Sequence, residues 1–363
     1  MTRLLAALTT AGVAGASVLV LTAGTARADD NRFALTAQGD SQYYQVDGED
    51  IPGSPKNTAG SLTAQSHLDS TGQSASFAGA PYYGNSAETL PGLINGAPSQ
   101  FGYNNPILPF SHFPGFVTAT YPSAPEASDA NYYYKVHAEA GEHGAQAAGS
   151  NGAPESIPAP NQQQSATAET KKLDDKSTVA TAEGAAAGFV EGPLEVGYSE
   201  AKATITDAGG APKVVSAVFG RFSIGGQAFG YDKAGFTYLG QSADKKAAID
   251  GANAALSAAG LQLDIAPETT TTDPVSGVTR YVLGGMKITQ NFTSPSGAKY
   301  TIGYILGRAE VASVNTATTA TAVALSSTGS AATLGSARIA TRAANPAAAW
   351  ALAARPARST KQR

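Results

Sequence analysis

The clearest pattern in the chain is an alternation of apolar and polar positions that begins at about Leu194. In "LEVGYSEAKATITDAGGAPKVVSAVFGRFSIGGQAFGYDKAGFTYLG" apolar or small residues recur at Val196, Tyr198, Ala201, Ala203 and Ile205. The chain turns at "DAGGAP", and alternation resumes through Val215, Val218, Phe222 and Ile224 with local changes of phase. Period-two alternation punctuated by glycine-rich turns predicts antiparallel strands in a meander. One stretch changes period: in "ADKKAAIDGANAALSAAG", Ile249, Ala252, Leu256 and Ala259 fall at helical spacing, Ser242 can cap the start, and Gly260 sits where a helix ends. A helix over about 243–259 is predicted, packed on the sheet. "LQLDIAP" then returns to alternation, and two longer strands follow, "TRYVLGGMKITQNF" and "AKYTIGYILGRAEVASV", joined by "TSPSGA".

The first half is less regular. "FALTAQGDSQYYQVDGEDIPGSP" alternates weakly and predicts one or two short strands at best. From Ser61 to Phe116 proline, glycine and aromatic residues are dense, which predicts a loop-rich layer rather than central strands. "VTATYPSAP" and "NYYYKVHAEAG" read as strands, the second with Tyr132, Tyr134, Val136 and Ala138 on one face and Tyr133, Lys135, His137 and Glu139 on the other. Between Gly141 and Lys176 large apolar residues nearly vanish among Ala, Gly, Pro, Gln and Ser, the composition of a linker. The expected division is a signal peptide over 1–28, a Pro/Gly/aromatic-rich β and loop region over 29–140, and a flexible low-complexity linker or loop over 141–176. A β-meander plus helix over 177–314 and a disordered, basic Ala/Thr/Ser-rich tail over 315–363 complete it. The fold class is mainly β, sandwich-like, with glycine-rich turns, one helix and disordered termini.

Composition sharpens this picture. Gly numbers 40 and charged residues only 14%, which suits β-structure with many turns. Cysteine is absent, which excludes a disulfide scaffold, a thiol nucleophile and thiolate metal sites. The opening "MTRLLAALTTAGVAGASVLVLTAGTARA" has Arg3 before an apolar run and small residues at Ala26 and Ala28. It reads as a secretory signal cleaved after Ala28, so the mature chain is expected outside the cell or at the cell wall. No later segment reaches the roughly 20 apolar residues a spanning helix needs, so no transmembrane anchor is expected in the mature chain. The formal net charge is −4, and the last residues are basic through Arg338, Arg342, Arg355, Arg358, Lys361 and Arg363. The remaining body is acidic, which argues against nucleic-acid binding.

Candidate chemistry is sparse. "NYYYKVHAEAGEHGAQ" holds two of the chain's four histidines, but His137 and His143 lie six apart, and a helical zinc motif needs a spacing of four. His137, Glu139 and His143 are therefore weak metal candidates, and no cofactor is expected. His67 precedes Asp69 in "HLDS", and His112 stands in "PFSHFPG". A nucleophile elbow and the phosphate-binding glycine loops are missing. The stronger binding candidate is "APYYGNSAETLPGLINGAPSQFGYNNPILPF", where Tyr82, Tyr83, Phe101 and Tyr103 can form a stacking platform for sugar rings or another polymer.

The run of "AQSHLDSTGQSASFAGAPYYGN", "LPGL" and "FPGFVTATYPSAP", with "AIDGANAALSAAGLQLDIAPETTTTDPVSGVTRYVLGGMKITQNF" and "KYTIGYILGRAEV", resembles a group of secreted proteins of high-GC Gram-positive bacteria to which no function is assigned. The resemblance spans most of residues 60–312, and its motifs are structural. Some members continue into a C-terminal membrane anchor, whereas this chain ends in a basic Ala-rich tail. The function expected is a non-enzymatic structural or binding module at the cell envelope or outside the cell, with a cell-wall polymer or polysaccharide as partner. The alternative is a secreted hydrolase with a dispersed catalytic set, which requires Ser, His and carboxylate side chains to converge in one pocket.

Overall fold

The alternation read from the sequence holds, and it runs through more of the chain than its large apolar residues reveal. The computed structural model describes residues 32–48, 57–80, 115–130, 134–151, 163–173, 177–209, 211–293 and 297–315. The expected leader, the tail beyond Asn315, and Tyr82, Tyr83, Phe101, Tyr103 and His112 lie outside them. The chain first lays down β1 (Phe33–Gly48), β2 (Asn57–Gly60), β3 (Thr63–Asp69), β4 (Ser74–Ala80) and β5 (Gly115–Tyr121) in one sheet. It crosses to a second sheet for β6 (Glu126–Ala130), β7 (Tyr134–Gly141), β8 (Gly144–Asn151), β9 (Gln164–Lys172) and β10 (Thr178–Ala186). The second sheet continues with β11 (Phe189–Glu191), β12 (Leu194–Asp207), β13 (Lys213–Ile224), β14 (Gln227–Asp232) and β15 (Gly235–Tyr238). After helix α1 (Lys245–Ala258) the chain returns to the first sheet with β16 (Leu261–Ile265), β17 (Thr269–Thr272), β18 (Thr279–Thr293) and β19 (Lys299–Asn315).

All pairings described are antiparallel, in the orders β16-β18-β19-β1-β3-β4-β5 and β15-β14-β13-β12-β10-β9-β8-β7-β6. β1 and β19 lie side by side, Phe33 opposite Asn315. The sheets pack face to face, β1 over β9 and β10, and β19 over β10 and β12, so the mainly β reading with a single helix is correct for the described residues.

The core between the sheets is built from small residues. Ala138, Ala147, Ala168, Ala182 and Ala203 are direct cross-strand neighbours on five successive strands, and all are buried. Such a row fills little space, so the first sheet approaches to backbone contact. A β-carbon on Gly39 would stand 2.1 Å from the Glu183 carbonyl oxygen, and one on Gly184 would stand 2.0 Å from that of Asp40. Close approach also lets short hydroxyl side chains reach the opposite backbone: Ser74 Oγ donates to the Gly141 carbonyl at 2.7 Å and Ser76 Oγ to that of Glu139 at 2.9 Å. Between the two sheets Met286 N–H donates to the Tyr231 hydroxyl at 3.0 Å, and Ser199 Oγ bridges that hydroxyl and the Leu306 carbonyl. Burial pushes the Tyr231 phenol up to about 12.

Several expectations are corrected by this arrangement. Within 141–176, expected as a flexible linker or loop, the described residues instead form β8 and β9 inside the second sheet, because Ala145, Ala147, Ala166 and Ala168 are the size its core accepts. Within the weakly alternating N-terminal segment, Phe33–Gly48 form one 16-residue strand, β1, and β3 and β4 form within the stretch assigned to loops. Consequently the chain does not divide at 141–176, since each sheet takes strands from both sides of it. The helix cap is Asp244 rather than Ser242, with Asp244 Oδ1 accepting from Ala247 N–H at 2.9 Å. The helix buries Ala252 and Leu256, while Ile249 stays partly exposed. Gly260 ends it with φ 68°. Exposed Gly251 has open space where a β-carbon would sit, so Gly251→Ala should raise unfolding stability by about 0.5–1 kcal/mol, measured by urea denaturation.

The outward face of the first sheet carries an ionic network. Arg308 Nη1 donates to Asp40 Oδ2 at 2.7 Å, and Arg308 Nη2 bonds Glu310. Glu310 also accepts from Arg280 Nε at 2.5 Å and Nη2 at 2.8 Å. Asp40 accepts from Thr63 Oγ1 at 2.6 Å and from Gln38 Nε2 at 3.0 Å, and the Arg308 guanidinium lies 4.9 Å from the Tyr43 ring centre. Asp40 and Arg308 are both buried. Burial by itself raises the Glu310 carboxyl, but Arg308 and Arg280 outweigh it and hold the group below the usual 4.5.

Candidate functional site

The second sheet's outward face carries two different surfaces. The first lies at its β6 edge. On β7, Val136, Ala138 and Ala140 turn inward and are buried, so Lys135, His137 and Glu139 turn outward, the faces the alternation predicted. The register sets Ser128 of β6 opposite His137, and Ala148 of β8 on its other side. Small neighbours leave an open groove of about 370 Å³, lined by Ser128, Asp129, Lys135, His137, Ala148 and Ser150 among others. Within it Ser128 Oγ is 2.8 Å from His137 Nδ1, and His137 Nε2 is 4.0 Å from Glu139 Oε2. Gln146 Nε2 donates to Glu139 Oε2 at 2.5 Å.

The structure thus brings His137 and Glu139 together, but not His143. That residue occupies the β7–β8 turn, beyond the Gly141–Gly144 pair, roughly 13 Å further along at about 3.3 Å per residue. Among the described residues no three His, Asp or Glu side chains group as metal ligands. His67 and Asp69 do pair on β3, Nε2 to Oδ2 at 3.6 Å. At the start of β7 the Tyr134 hydroxyl donates to Asp129 Oδ2 of β6 at 2.7 Å. Burial and that bond push the phenol up to about 12.

The second surface spans β12 and β13. Here Val215 and Phe219 point outward, 75% and 45% exposed, with exposed Ala217 between them. The Tyr198 ring lies 5.7 Å from that of Phe219 at 42°. Charges flank the apolar strip: Glu200 stands opposite Phe219, Lys202 opposite Ala217 and Arg221 opposite Tyr198. Lys202 Nζ pairs with Glu183 at 2.8 Å, and the Tyr198 hydroxyl donates to Glu200. Burial first, then the Glu200 bond and charge, raise the Tyr198 phenol. Leu239, 46% exposed, extends the surface over Gly230, whose missing β-carbon leaves its methyl room at 3.1 Å.

Sequence reasoning did not single out Phe219, and the aromatic platform it expected at Tyr82, Tyr83, Phe101 and Tyr103 lies outside the described residues. The signal was present in "VVSAVF", where adjacent apolar residues at Val214 and Val215 and at Val218 and Phe219 make both faces of β13 apolar. Ser128 left no such signal, since its meeting with His137 depends on hairpin register.

Among the described residues no helix is long and apolar enough to cross a membrane. No known protein family and no curated protein matches the chain. Solved structures that align with it include Pseudomonas aeruginosa OccK1 (OpdK), at 11% identity over 79% of this chain and 99% of that one. Pseudomonas aeruginosa OccK8 (OprE) aligns at 11% identity over 79% and 98%, and Pseudomonas aeruginosa OpdK with vanillate at 12% over 79% and 99%. The TM-score is 0.12 in each case, so these likenesses carry no argument about this chain's fold or function.

Proposed function

We propose that this chain is an exported binding module of the cell envelope or the extracellular space, and that the outward face of β12 and β13 binds a polysaccharide. The observation that carries this reading is the strip of Tyr198, Phe219 and Val215, apolar at its centre and edged by Glu200, Lys202 and Arg221. Sugar rings present C–H faces to aromatic side chains and hydroxyls to charged neighbours, so one such strip meets both needs of a glycan. Export is supported by the apolar leader and small-residue cleavage pattern ending at Ala28. Depletion of the mature protein from solution by insoluble cell-wall material and purified polysaccharides, with lipid vesicles in parallel, tests the reading. Saturable binding to a glycan should weaken about tenfold in Phe219→Ala, equivalent to about 1.4 kcal/mol. Binding that ignores this substitution, or that occurs only on vesicles, would refute the assignment.

A further inference from the structure

We infer that the groove at the β6 edge is an acyl-transfer site, in which Ser128 is the nucleophile, His137 the general base and Glu139 the group that positions the imidazole. Serine hydrolysis needs a hydroxyl hydrogen-bonded to a neutral imidazole whose other nitrogen faces an acceptor. Here the hydroxyl is 2.8 Å from Nδ1, and a carboxylate oxygen faces Nε2 at 4.0 Å. The two nitrogens exchange the positions they occupy in the common triad, which leaves the proton path intact because either nitrogen of a neutral ring can accept while the other donates. The Glu139 contact is longer than a hydrogen bond, and such contacts in free enzymes shorten when substrate excludes water.

Three further features bear on substrate. Ser128 is exposed at the groove, so its hydroxyl is open to attack a carbonyl carbon. Ala130 and Ala148 leave room beside His137 that a short acyl group can fill, and the open side accepts a large alcohol. Lys135, two residues from His137 on the same face, puts a positive charge beside the place where a carbonyl oxygen becomes an oxyanion.

The reaction is hydrolysis of a short acyl ester. Ser128 Oγ bonds to the carbonyl carbon as its proton passes to His137 Nδ1. The carbon–oxygen bond to the alcohol then breaks, and the same proton leaves with the alcohol. Water attacks the acyl-serine, gives its proton to His137, and that proton returns to Ser128 as the acid departs. No oxidant, reductant or metal enters the balance.

The site is separate from the β12–β13 strip, so its failure leaves the binding reading standing. The test uses the full mature chain, 4-nitrophenyl acetate as substrate and a fluorophosphonate as trap. The trap should phosphonylate Ser128 with loss of fluoride, mapped by peptide mass, and the label should vanish in His137→Ala. Acetate hydrolysis should fall about 100-fold or more in Ser128→Ala and His137→Ala. Glu139→Gln should lower kcat about tenfold with KM unchanged. Because Ser128 is exposed, Ser128→Ala should melt with the parent protein, which separates lost chemistry from lost fold. A label found only away from Ser128, no label at all, or turnover undiminished in Ser128→Ala would overturn the proposal.

Discussion

Gly184→Ala should leave the protein barely folded, with a urea midpoint far below that of the parent. The β-carbon it adds would lie 2.0 Å from the Asp40 carbonyl oxygen and 2.7 Å from that of Arg308. Both are backbone atoms of central strands, so no rotamer change relieves the overlap. The sheets must part locally, and parting opens the alanine-filled core on both sides of β10. Overpacking of an ordinary core costs about 1–3 kcal/mol. Here the displaced groups are β1 and β19 themselves, so the loss should exceed about 4 kcal/mol, a large part of the roughly 5–15 kcal/mol that holds a typical domain together. Gly72→Ala provides the contrast: Gly72 has φ 77° but open space around its missing β-carbon, so only local strain of about 1–2 kcal/mol is expected. Urea denaturation followed by circular dichroism measures both, and a Gly184→Ala midpoint close to that of the parent protein would show that the sheets are not in backbone contact.

The same spacing explains which parts of the fold were legible in the sequence. β12, β13, β18 and β19 carry Val, Ile, Leu and aromatic residues at alternate positions, and these strands were read correctly. β8 and β9 alternate just as regularly, but their inward residues are Ala145, Ala147, Ala166 and Ala168, and alanine is also what linkers contain. A core this thin selects small residues, so hydrophobicity underreports its strands. β1 was obscured for a second reason. Its outward residues Gln38, Asp40 and Gln42 are buried as well, so the strand shows weak contrast between its faces.

The candidate site divides along the same line. Alternation placed Lys135, His137 and Glu139 on one outward face, and the structure agrees. What alternation cannot supply is the partner across the strand gap. Ser128 reaches His137 because β6 pairs with β7 in a register that sets Ala127 opposite Ala138. A slip of one residue would turn Ser128 to the other face. The hairpin sets His137 in mid-strand and His143 in the turn at the far end of β7, so the two imidazoles stand apart.

Arg308→Met should destabilise the protein by about 3–5 kcal/mol, the usual consequence of leaving one side of a buried ion pair uncompensated. The substitution strips Asp40 of its guanidinium partner, leaving it Thr63 and Gln38, and leaves Glu310 held by Arg280 alone. Asp40→Leu combined with Arg308→Met should recover most of that loss, because removing both charges removes the desolvation penalty along with the attraction. The two substitutions are direct cross-strand neighbours, so their effects should be far from additive. Acid sensitivity supplies a separate reading of the network. The Glu310 carboxyl is held below 4.5 in the folded chain, so its contribution is fully present above the unfolded value and is lost as pH falls through the folded one. Lowering the pH from 6 to 3 should therefore destabilise the parent protein more than Glu310→Gln, whose amide does not titrate in that range. Equal acid losses in the two proteins would mean that the arginines do not hold this carboxylate, and that the network is maintained by its hydrogen bonds instead.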